Sequence, residues 1–193
     1  MVGHSWGAWT ALRLAAAAPS RVLAVVAVDG GTLRWAEGST TREQLREQLT
    51  PPRTALPLDQ LRDVLRSGSL GSWWSPQVEA AVLSIFGLGD DGLARARLPF
   101  EAHMKIVDDL LDADLAADLP RVRCPAWLVS CSPDELRADA LERTAALLFA
   151  PRAQRWDGAV HDVPLQWPAL VAGLIRTAAD EVSLPAAGER AGA

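Results

Sequence analysis

The segment Arg21-Val22-Leu23-Ala24-Val25-Val26-Ala27-Val28, closed by Asp29-Gly30-Gly31, limits the fold more than any other stretch. It is short, apolar after its first residue and rich in β-branched side chains. Alternating polarity would mark a strand with one face in water. An uninterrupted apolar run marks a strand covered on both faces. Such strands belong to parallel sheets, whose neighbouring strands are joined by crossover helices. Just upstream, Ala8 to Ala18 is made of good helix formers, and Pro19 ends the run. Helix followed by buried strand is the rhythm of an α/β fold.

From about Thr32 to Leu119 the rhythm changes. Short amphipathic pieces at Arg42–Leu49, Leu58–Arg66, Gln77–Phe86 and Phe100–Leu111 alternate with turn clusters such as Thr50-Pro51-Pro52 and Gly87-Leu88-Gly89-Asp90-Asp91-Gly92. No strong strand signal interrupts them, so 32–119 is expected to be a helical insertion. The α/β pattern then resumes. Pro125–Cys131 reads as a strand, Glu135–Phe149 as a helix, Ala153–Trp156 as a short strand and Pro168 to about Ala179 as a last helix. The expected organisation is a core from 1–31 and 120–180, an insertion over 32–119, and a disordered Ala- and Gly-rich tail over 181–193.

Composition excludes several function classes. With 49% hydrophobic and 22% charged residues the chain has material for a packed core and is no disordered tail. The formal net charge of -5, with all but one of the basic residues Arg, gives no general attraction for phosphate backbones; nucleic acid is not an expected partner. No stretch reaches the roughly 18 apolar residues of a membrane span. Cys124 and Cys131 flank the Pro125–Ser130 strand and would lie roughly 20 Å apart along it, too far for a disulfide. Met1-Val2-Gly3-His4 carries no secretory signal. The expected compartment is the cytoplasm, unless a signal stood on a missing preceding segment.

Chemistry concentrates in Gly3-His4-Ser5-Trp6-Gly7. A Gly-x-Ser-x-Gly match has about a 6% chance in a chain of this length, so its context matters. The motif puts a serine on a strained strand-to-helix turn, and its glycines allow neighbouring main chain to come close. The helix follows as required, but only Met1 and Val2 precede Gly3 as strand. A serine hydroxyl needs a base. The chain has three histidines. His4 is adjacent to Ser5, and side chains diverge at such a turn. His103 lies in the insertion. His161 follows the last strand in Asp157-Gly158-Ala159-Val160-His161-Asp162, a strand-end loop where sites of open α/β sheets gather, and is the preferred base. The base in turn needs an acid to fix its tautomer. Asp134 sits just past a strand and is preferred; Asp29, just past the earlier strand, is the alternative; Asp162 is awkwardly adjacent to His161. Either strand-end Asp could instead cap a turn or helix.

These residues, with Val28-Asp29-Gly30-Gly31, Val122-Arg123-Cys124-Pro125 leading to Asp134, and Val160-His161-Asp162-Val163-Pro164-Leu165, resemble the α/β-hydrolase superfamily in motif and in the chain order Ser, Asp, His. The resemblance covers residues 1 to about 180 and makes the insertion a cap. It implies the C-terminal part of an α/β-hydrolase fold: a mostly parallel sheet flanked by helices. It also implies Ser5 as nucleophile, His161 as base, Asp134 or Asp29 as acid, the Trp6 main-chain N–H as one oxyanion donor, and no metal or cofactor. The substrate would be a small or medium apolar acyl compound, an ester, thioester or amide. Trp73, Trp74 and His103 in the cap are candidates to face it, although an aromatic pair at a helix start is more often packing.

The resemblance also lacks a part. The family's first four strands, most of its fifth, and the loop that normally gives the second oxyanion donor have no counterpart. The expectation is therefore that Met1 is an internal strand residue and that this chain alone is a poor enzyme, since one missing oxyanion donor costs roughly 10²–10³ in rate. The alternatives are a non-catalytic remnant or interaction module that pairs through its exposed sheet edge, or another chemistry of the fold: acyl transfer, carbon–carbon hydrolysis or cofactor-free haloperoxidase activity.

Overall fold

The computed structural model describes residues 1–33, 41–131 and 135–183, with the main chain alone for 135–138. In chain order its elements are strand β1 (Val2–His4), helix α1 (Trp6–Ala17), β2 (Val25–Val28), α2 (Arg42–Gln48), β3 (Leu56–Pro57), α3 (Leu58–Arg66), α4 (Pro76–Leu83), β4 (Phe86–Leu88), β5 (Leu93–Ala96), α5 (Phe100–Asp112), α6 (Leu115–Asp118), β6 (Pro125–Ser130), α7 (Glu135–Ala146), β7 (Ala150–Arg155), α8 (Val163–Gln166) and α9 (Pro168–Ser183). They form two compact units, Met1–Ala36 with Asp114–His161 and Trp167–Ala193, and Glu37–Ala113 with Asp162–Gln166.

The first unit is built on a four-stranded sheet of order β1-β2-β6-β7, parallel throughout. Every residue of β2 is buried, as the apolar run requires, and so are the last five of β6. The strand at β2 is shorter than the run suggests. Pro19–Arg21 forms a 3₁₀ turn, Leu23 emerges 73% exposed, and pairing starts only at Val25. α1 packs on β1 and β2 through Ala8, Trp9, Ala11, Leu12, Ala15 and Ala16. Four of those six are alanine, which lets the helix lie close to the sheet. α7 packs on β6 and β7, and α9 on β2. Each fully buried Leu or Val in this core, such as Leu12, Val25, Val26 and Leu128, stabilises it by about 1.5–3 kcal/mol.

Two boundaries differ from expectation for identifiable reasons. β7 begins at Ala150 rather than Ala153, because Pro151 is tolerated in a strand that lies at the edge of the described sheet and needs no N–H there. α9 continues to Ser183, so residues 181–183 are helix and not tail; Arg152 on β7 donates to Glu181 at 2.6 Å and holds that last turn. The remaining tail, 184–193, lies outside the described residues.

The sequence pattern predicts a helical insertion over 32–119, and the second unit departs from it. It contains a three-stranded antiparallel sheet of order β3-β5-β4 alongside its helices. Thr41 and Gln44 close a capping box at the start of α2, and Ser75 caps α4. α2 and α5 are joined by Arg46–Asp108 and Arg42–Asp112, each at 2.7 Å.

Candidate active site

The parallel register brings three strand ends to one edge. His4 pairs with Val28, and Val28 with Val129. Ser5 and Asp29, the next residues, therefore leave the sheet at the same level, beside Ser130, the last residue of β6. The Ser5 N–H donates to the Val28 carbonyl at 2.9 Å, and the Asp29 N–H to Val129 at 2.7 Å. At the end of β7 the Trp156 N–H donates to Ser130 at 3.0 Å, and the loop that follows carries His161 over the same edge.

Ser5 is strained. Its φ of 55° and ψ of -123° lie outside the regions open to most L-residues, at a cost of order 1–3 kcal/mol. It stands at the N-cap of α1, where serine ordinarily accepts a main-chain N–H, yet it makes no side-chain cap bond. The turn instead turns its hydroxyl toward a ring nitrogen. Two glycines make this turn possible. A Cβ on Gly3 would collide with the Gly7 main chain, and one on Gly30 with the Ser5 carbonyl. Gly7, to which the motif assigns the same steric role, does not need to be glycine for space: an added Cβ meets nothing within 4 Å.

His161 Nε2 lies 2.9 Å from Ser5 Oγ, and His161 Nδ1 lies 2.6 Å from Asp29 Oδ2. A carboxylate only accepts, so Nδ1 carries the hydrogen and the Nε2 lone pair faces the serine hydroxyl. The second carboxylate oxygen of Asp29 accepts the Cys131 N–H at 2.9 Å. The Asp29 side chain is only 9% exposed, so these donors offset the cost of burying its charge. Asp29 also has a positive φ, 44°, which Asp tolerates better than most residues. Burial, followed by the neighbouring Asp29 charge, pushes the Cys131 thiol up to about 12; it is an inert sulfur, not a competing nucleophile. The Trp6 N–H occupies the first position of α1, where a helix offers no internal acceptor and its dipole favours negative charge.

Asp134 lies outside the described residues. Trp73, Trp74 and His103 belong to the second unit. Trp73 is 37% exposed, the Trp74 indole N–H donates to Glu79 at 3.2 Å, and His103 is half-buried on α5. Two features that shape this arrangement escaped the sequence: Gly30 and the main chain of Cys131. Gly30 had a signal, the glycine pair Gly30-Gly31 directly after a strand-end Asp. Among the described residues no group of three His, Cys, Asp or Glu could hold a metal ion, and no helix is long and apolar enough to cross a membrane.

Residues 1–57 match the model of a family described as the alpha/beta hydrolase fold. Among solved structures, E-2-(acetamidomethylene)succinate hydrolase is similar, with a TM-score of 0.75 and 22% identity over 93% of this chain and 65% of that one. A thioesterase domain from the curacin biosynthetic pathway has a TM-score of 0.67 and 19% identity, covering 91% of this chain and 65% of that one. An esterase from Mycobacterium tuberculosis has a TM-score of 0.62 and 21% identity, covering 93% and 59%. The chain thus spans less than two thirds of the length of each. No curated protein matches its sequence. The family-model match over residues 1–57, the parallel sheet order and these structural likenesses give the chain the α/β-hydrolase fold.

Proposed function

We propose that the chain carries the nucleophile, base and acid of a serine hydrolase of esterase-like type, Ser5, His161 and Asp29, acting on an ester, thioester or amide of a small or medium apolar substrate. In this reading Ser5 Oγ attacks the carbonyl carbon while His161 Nε2 takes its proton. The developing oxyanion accepts the Trp6 N–H. His161 returns the proton to the leaving group, and an acyl-serine remains. Water then repeats the sequence in reverse, with His161 again as base. Asp29 keeps Nδ1 protonated and stabilises the imidazolium, the role the sequence offered to Asp134 or Asp29.

The observation that carries the proposal is the continuous chain of hydrogen bonds from Ser5 through His161 to Asp29, at 2.9 and 2.6 Å, with the serine in a strained turn. A fluorophosphonate probe tests it. Labelling of Ser5 that disappears in Ser5→Ala is expected. Folded protein that stays unlabelled would favour a non-catalytic remnant. Asp29→Asn keeps the shape and removes the charge, and should slow labelling by about 10²–10⁴-fold; Asp134→Asn should leave it within about threefold of the parent. The reverse pattern would move the acid to Asp134.

A further inference from the structure

We propose that His4 is a positioning residue for the base: its ring N–H, donated to the main-chain carbonyl of His161, fixes the loop that presents the imidazole to Ser5. This rests on the serine-hydrolase reading above and deepens it.

His4 Nε2 lies 2.6 Å from the His161 carbonyl oxygen. The carbonyl only accepts, so Nε2 carries a hydrogen. The two ends of this bond belong to different kinds of structure, a paired strand and a loop. His4 closes β1, where its main chain pairs with Val28. His161 closes a loop that turns through Gly158 at a φ of 78°, and its side chain is 52% exposed. Side-chain burial alone therefore does not hold the imidazole in place.

The bonds of His161 divide the work. Asp29 and Ser5 orient the ring. The bond from His4 sets the main chain from which the ring hangs, and ties it to the strand that leads into Ser5. The two imidazole rings also touch, with centroids 4.9 Å apart and planes at 41°. His4 is itself no candidate base, because its Nε2 is spent on a carbonyl. What it controls is the distance between Nε2 of His161 and Oγ of Ser5. A displacement of about 1 Å at a reacting pair can cost 10²-fold in rate.

The test uses the whole chain with p-nitrophenyl butyrate as probe ester and a fluorophosphonate as probe of Ser5. His4→Leu keeps volume and removes the donor; His4→Gln returns an amide N–H near the lost Nε2. His4→Leu is expected to lower kcat by about 10–100-fold with KM changed by less than about threefold, and His4→Gln to regain most of the loss. A His4→Leu variant that matches the parent, or a His4→Gln variant no better than His4→Leu, overturns the proposal. Should His4→Leu fail to fold, ¹⁵N-histidine NMR on the parent decides: a hydrogen on His4 Nε2 supports the proposal and a bare Nε2 overturns it. The two readings fail differently. A parent labelled at Ser5 with His4→Leu labelled equally fast sinks only the role of His4. A parent that is not labelled sinks the serine hydrolase and this role together.

Discussion

At the residue scale, the glycines around Ser5 divide into those that geometry requires and one that it does not. Gly3 and Gly30 are required because main chain lies where a Cβ would be. Gly30→Ala presses on the Ser5 carbonyl, which no side-chain rotation can relieve. It should cost about 1–3 kcal/mol of stability, as overpacking does, and should slow phosphonate labelling of Ser5 by about 10²-fold through the displaced hydroxyl. Gly7→Ala has the opposite sign. The position is on α1 with open space around it, so alanine should stabilise by up to about 1 kcal/mol. Urea unfolding of the two variants beside the parent checks both; equal losses would remove the distinction. The serine and histidine of the proposed site were legible because few residues competed: one Gly-x-Ser-x-Gly before a helix, and one histidine in a strand-end loop. The carboxylate that meets the His161 ring was less legible. Asp29 and Asp134 both follow strands, and linear order alone does not say which carboxylate reaches a ring more than a hundred residues from Asp29. That depends on register: β2 lies between β1 and β6, which puts Asp29 directly beside the strand that leads into Ser5.

Among the elements, those with a strong period were legible and those held by a local turn were not. The apolar run at β2 and the amphipathic pattern of α3 and α5 stand out in the sequence. β4 and β5 do not: Phe86-Gly87-Leu88 and Leu93-Ala94-Arg95-Ala96 hold no β-branched residue, and their flanks read as turn. Much of their definition comes from the hairpin between them. Asp91 accepts from Arg95 at 2.6 and 2.8 Å and from the Leu93 N–H at 3.2 Å. The Arg95 hydrogen bond, helped by that N–H, holds the Asp91 carboxyl down at about 2. A carboxyl lowered in the folded state adds stability above its ordinary range and loses it on acidification. The contribution of Asp91 is therefore whole above about pH 4 and disappears as the pH falls through about 2. The carboxyl ¹³C signal of Asp91 should titrate near 2, and amide exchange across Gly89–Gly92 should accelerate over the same range. Asp91→Asn should lose that acid step; a midpoint near 4 would show that the Arg95 bond is not formed in solution.

Across the whole molecule, the sheet of the first unit depends on β6. It lies between β2 and β7, pairs with both, and buries its last five residues. Two free thiols mark its ends: Cys124 is 7% exposed and Cys131 is 4% exposed. Burial raises the pKa of both thiols, Cys131 to about 12, so neither forms much thiolate near neutral pH while the sheet is closed. Their reaction with a disulfide reagent therefore reports opening of the sheet. β6 cannot leave without breaking two ladders, and the Cys131 N–H is also bonded to Asp29. Release of either thiol should thus coincide with loss of the site. At pH 8 both cysteines should react together, at the denaturant concentration where circular dichroism shows unfolding, and phosphonate labelling of Ser5 should vanish over the same interval. Fast reaction of one thiol well before that midpoint would mean that an end of β6 frays on its own. Loss of Ser5 labelling before either thiol reacts would place the weak point in the His161 loop, which the bond from His4 is proposed to hold.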